Sequence, residues 1–73
     1  MAGKIYKKEY RKLVRRLKQA RLETGMTQTQ VSKRLRKCQS YISKIESGEL
    51  MVDILTLKEM AKIYKKSIDF FIN

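Results

Sequence analysis

The sequence predicts an all-α fold, a compact bundle of five helices. Three observations lead there. Apolar residues recur at steps of three and four along most of the 73 residues, the spacing that gathers one face of a helix. Capping and stopping residues punctuate those runs, with Thr27 and Asp53 at starts and Gly25 and Gly48 at ends. The chain also has no Pro, no low-complexity stretch and no repeat, so residues 1–73 read as one domain without a linker.

In the first segment Tyr6, Tyr10, Leu13, Val14, Leu17 and Ala20 share one helical face. Lys7, Lys8, Arg11, Lys12, Arg15, Arg16 and Lys18 fall between them and take the other face. Gly25 is the expected stop, because glycine enters the left-handed conformation without strain. Thr27 and Gln30 then form the S/T-x-x-E/Q capping box, with Met26 and Val31 at the hydrophobic-staple positions. This second helix runs from Gln28 to about Leu35, with Val31 and Leu35 on its buried side and Ser32 small enough for close helix approach.

The third helix begins near Cys38 or Gln39 and ends before Gly48, with Ile42 and Ile45 as its buried pair. Fixing that side leaves Gln39, Ser40, Ser43 and Lys44 free, with Tyr41 at the margin. Asp53 caps a fourth helix, stapled by Val52 and Leu57 and striped by Ile54, Leu57, Met60, Ala61 and Tyr64. Lys65 and Lys66 close it with charge suited to the helix dipole. Ser67 opens a last turn through Ile68, Phe70, Phe71 and Ile72. This apolar end either closes the core or forms a subunit interface, and both phenylalanines cannot point inward from one helix.

Charge narrows the partner. The chain carries 18 Lys and Arg against 7 Asp and Glu, for a formal net charge of +11. Residues 1–24 hold nine basic residues and two Glu, and residues 25–48 hold five and one. Residues 49–73 hold four of each sign. All the excess therefore lies on the first two-thirds of the chain, which fits a face for an acidic polymer such as nucleic acid. A lone Cys38 forms no internal disulfide, and the absence of His leaves no metal-ligand cluster. No cofactor or metal is expected. No apolar run approaches the ~20 residues needed to span a bilayer, and no signal-peptide segment follows the basic start. A cytoplasmic protein without membrane contact is the expectation. The acids show no paired arrangement and no nucleophile sits beside a base, so an enzyme is not expected.

The pattern of Leu17, Arg21, Gly25-Met26-Thr27-Gln28, Val31, Leu35, Gln39-Ser40-Tyr41-Ile42-Ser43-Lys44-Ile45-Glu46, Gly48, Leu57 and Met60-Ala61 resembles the Cro and lambda-repressor-like helix-turn-helix family. The likeness covers about residues 13–71, with the helix-turn-helix itself at 28–47. It implies a five-helix bundle that binds double-stranded operator DNA, usually as a symmetric homodimer. By the same resemblance Gln39, Ser40, Ser43 and Lys44 read bases from recognition helix 39–47, with adenine the best match for Gln39 and guanine for Lys44. Thr27, Gln28, Lys33, Lys37 and Tyr41 meet the DNA backbone, joined by Arg34, and Tyr41 has a thymine methyl group as its other target. Arg21 and Glu46 form a structural ion pair. Phe70, Phe71 and Ile72 are the expected dimer interface.

Two departures stand out. The turn between the second and third helices reads Arg36-Lys37-Cys38, where the family has glycine followed by an apolar residue. Left-handed Arg36 costs about 1 kcal/mol, and the Lys37 stem covers apolar surface in place of a core side chain. The loop Glu49-Leu50-Met51-Val52 is also less basic than in the family, which suits packing on a neighbouring subunit. The expected function is a sequence-specific transcriptional repressor. The alternative is the antitoxin of a toxin–antitoxin pair, gripping a small toxin through Leu50-Met51-Val52 or Phe70-Phe71. A third reading, non-specific nucleic-acid binding by charge alone, predicts no preference among sequences.

Overall fold

The computed structural model describes residues 8–72, as five helices with no strand among them. They are α1 (Lys8–Thr24), α2 (Gln28–Leu35), α3 (Gln39–Ser47), α4 (Ile54–Tyr64) and α5 (Ile68–Ile72). Tyr6 and Lys7, assigned to the first helix by their spacing, lie outside the described residues. The α1 stripe of Leu13, Val14, Leu17 and Ala20 is buried, and α1 packs against α3, α4 and α5. Val31 and Leu35 of α2, Ile42 and Ile45 of α3, and Leu57, Met60, Ala61 and Tyr64 of α4 complete one shared core. Burying side chains of this size is worth about 1.5–3 kcal/mol each, which is what holds helices too short to stand alone.

The caps decide where each helix starts. Thr27 Oγ1 accepts the Gln30 N–H at 3.1 Å, and the Thr27 N–H donates to Gln30 Oε1 at 2.8 Å, closing the capping box. Asp53 accepts the Thr56 N–H at 2.7 Å, and that hydrogen bond holds its carboxyl below the usual range. Val52 and Leu57 are both buried beside this cap. Two α-helices end in left-handed residues that are not glycine: Arg36 after α2 and Lys65 after α4.

The C-terminal end corrects one expectation. Phe71 is fully buried in the core of its own chain, so its ring cannot line a subunit interface. Phe70 meets it edge-on at 5.1 Å and stays half-exposed. Arg16 lies 5.7 Å from the Phe70 ring centre and Lys66 4.6 Å from it. Arg16 Nη1 also donates to the Phe70 carbonyl at 2.6 Å. Ile72 is exposed.

Candidate nucleic-acid interface

Ile42 and Ile45 are wholly buried, which pins α3 by one side and turns the other outward. Gln39, Ser40 and Lys44 are exposed on that outer side, and Ser43 is half-buried. Cys38 caps the helix in extended conformation without a side-chain capping bond. Its Sγ instead lies 3.2 Å from Ser40 Oγ, a contact that lowers the thiol pKa. Arg36 takes the left-handed conformation at φ 60 and ψ 41. Lys37 is exposed, with its amine 5.0 Å above the Tyr41 ring, and Tyr41 donates to Thr56 Oγ1 at 3.5 Å. The turn thus replaces a core side chain with a cation resting on an aromatic face.

Behind this surface runs a chain of hydrogen bonds. Arg21 Nε donates to Glu46 Oε2 at 2.7 Å, and Nη2 donates to Glu46 Oε1 at 3.0 Å. Nη1 donates to the Met26 carbonyl at 2.9 Å. The pair is nearly dry, with side chains 10% and 4% exposed, and the bond to Glu46 raises the Arg21 pKa. Glu46 Oε1 also accepts from Gln28 Nε2 at 3.0 Å, and Gln28 Oε1 accepts from Gln39 Nε2 at 2.8 Å.

The direction of this chain follows from elementary chemistry. An ionised carboxylate only accepts, so Gln28 must offer Glu46 its NH₂ and hold its carbonyl toward Gln39. Gln39 must then donate to that carbonyl. One Gln39 N–H is consumed, and among the described residues the other N–H and Oε1 have no partner. A core ion pair therefore orients an amide on the outer surface, through three helices.

Thr27, Gln28 and Gln39 line one shallow depression together with Gly25 and Thr29. Lys33 belongs to a different depression, with Arg34, Ile63 and Lys65. The structure brings the first three together and leaves Lys33 apart. Sequence reasoning named Gln28 and Gln39 singly and missed their contact with each other and that of Gln28 with Glu46. The available signal was a glutamine opening each of the two helices. Among the described residues, no group of three His, Cys, Asp or Glu could hold a metal ion. No described helix is long and apolar enough to cross a membrane.

A family model described as helix-turn-helix matches residues 17–71. The chain belongs to the Cro and lambda-repressor-like helix-turn-helix family. Comparison with curated proteins returned no match, and comparison with solved structures returned none. In this helix-turn-helix, α2 and α3 are the paired helices. The matched span takes in the Arg21–Glu46 pair and both glutamines of the relay. The protein is a DNA-binding helix-turn-helix regulator.

Proposed function

We propose that this regulator is a sequence-specific repressor that occupies operator DNA with α3 in the major groove. The observation that carries the reading is the Gln39 amide, held by Gln28 with one N–H and Oε1 left over. Adenine offers an acceptor at N7 and a donor at N6, the complement of that free pair. Ser40, Ser43 and Lys44 share the same side of α3, and the Lys44 ammonium suits guanine O6 and N7. Thr27 and Gln28 meet a phosphate at the positive N-terminus of α2. Lys37 and Tyr41 flank the recognition helix and add backbone contacts that fix its register. Lys33 and Arg34 make a separate basic edge.

Binding to a site selected from a random duplex library tests this. Gln39→Ala and Lys44→Ala should each cost about 1–3 kcal/mol on the selected site and far less on random DNA. Equal losses on both would overturn base reading and leave attraction by charge alone.

A further inference from the structure

One row of cations on α1 has no partner in the fold. Lys8, Arg11, Arg15 and Lys18 follow one another at steps of three and four and are all exposed. They line one edge of the helix for about 15 Å. The ion pairs among the described residues are Arg21–Glu46 and Lys66–Glu23, so the row is not neutralised by them. Leu13, Val14 and Leu17 sit on the other side of α1, packed into the core. Arg16 is half-buried and bonded to the Phe70 carbonyl, which sets it apart from the row. Like charges at this spacing destabilise a helix, and nothing in the packing of α1 requires them.

A duplex in contact with α3 does not account for them. α1 and α3 meet through Arg21 and Glu46, and Ser40 and Lys44 stand on the side of α3 away from Glu46. A straight duplex seated on Ser40 and Lys44 therefore leaves the α1 row uncovered. The depression lined by Arg15 and Lys18 adjoins that of Thr27, Gln28 and Gln39 at Leu22 alone.

The chemistry of the row selects its partner. Its one apolar neighbour in that depression is Leu22, at the end of the row, so it lacks the apolar centre of a protein interface. The apolar face of α1 lies in the core, which removes the buried contact that a membrane-surface helix needs. The row holds no aromatic ring on which the bases of a single strand could stack. A regular line of cations does match the backbone of a duplex, which carries one negative charge per ~1.7 Å of its axis. We propose that the α1 row binds the phosphate backbone of a second DNA duplex, so that one copy of this regulator bridges two duplexes. Phosphate contacts carry no sequence information, so the second duplex is held whatever its sequence. The inference rests on DNA binding at α3 and is independent of base reading there.

Beads carrying a duplex with the selected site, once loaded with protein, should capture a labelled duplex that lacks the site. Capture should fall steeply with salt. Arg11→Gln with Arg15→Gln should cut it by about tenfold, while affinity for the selected site on one short duplex stays within about twofold. Lys58→Gln with Lys62→Gln removes the same charge from exposed positions of α4 and should preserve capture and affinity alike. Circular dichroism checks the fold of both variants. Capture that survives the α1 pair, as it would if paired copies held one duplex each, overturns the inference. So does capture that both pairs of substitutions abolish equally, or that the wild type never shows at low salt. Displacement of the second duplex by polyglutamate, or by vesicles of anionic lipid, at a lower concentration of charge than unlabelled duplex requires would reassign the row and overturn it too. Capture lost in the α1 pair but equal on beads with and without the site would uphold the row and sink the operator reading. Selective binding without capture would sink the row alone.

Discussion

Arg36 and Lys65 occupy the left-handed region, at φ 60 and φ 59, where a β-carbon crowds the following carbonyl. Each is held by its helix end: the Arg36 N–H reaches the Lys33 and Ser32 carbonyls, and Lys65 does the same with Ala61 and Lys62. Glycine fits this conformation without that crowding but loses more chain entropy on folding. Arg36→Gly should therefore stabilise the protein by about 0.5–1 kcal/mol, measured as a higher urea midpoint at unchanged slope. A lower midpoint would show that the Arg36 side chain contributes more than its backbone costs. The conformation at Arg36 was legible because the family turn expects glycine there. Lys65 was not, since a lysine at a helix end reads equally well as charge placed against the dipole. Tyr10 was legible only as an apolar residue of α1. Its hydroxyl accepts the Val52 N–H at 2.9 Å and donates to the Leu50 carbonyl at 3.5 Å, and no local pattern announces a bond across forty residues.

At the level of helices, the Arg21–Glu46 pair joins α1 to α3, and Gln28 adds α2 to the same carboxylate. Removing one partner strands a buried charge, which is far costlier than the pair's own net contribution. Glu46→Ala should destabilise the fold by about 3–5 kcal/mol, visible as a large drop in thermal midpoint. A drop of only a degree or two would mean that the guanidinium finds water instead. Helix starts were the most legible part of the fold, because Thr27 with Gln30, and Asp53 alone, satisfy backbone N–H groups by local chemistry. The facing of α5 was not legible. Five residues give too little periodicity to choose between adjacent phenylalanines. The choice falls to α1, where Arg16 bonds the Phe70 carbonyl and leaves Phe71 for the core.

Across the whole molecule, positive charge and neutral charge occupy different parts of the chain. Each phosphate neutralised releases counterions, so the logarithm of affinity falls linearly with the logarithm of salt concentration. Lys37→Ala should reduce the magnitude of that slope by about one and weaken all sequences alike. Gln39→Ala should leave the slope unchanged while erasing preference. Titrations of both variants from low to moderate salt check this, and a slope unaltered in Lys37→Ala would remove that lysine from the backbone contacts. The charge division was fully legible in the sequence. The Gln28–Gln39 link was not, because it depends on how two helices meet.

The one-way hydrogen-bond chain leading out from Glu46 also limits how this molecule can change over generations. An acidic replacement at position 39 sets a carboxylate against the Gln28 carbonyl, acceptor against acceptor, and the two repel. A lysine or arginine there still donates to that carbonyl but surrenders the free acceptor. New preferences at this step are therefore reached most smoothly by paired replacement at 28 and 39. A lineage that alters position 28 alone must first pass through a surface whose Gln39 amide has lost its anchor.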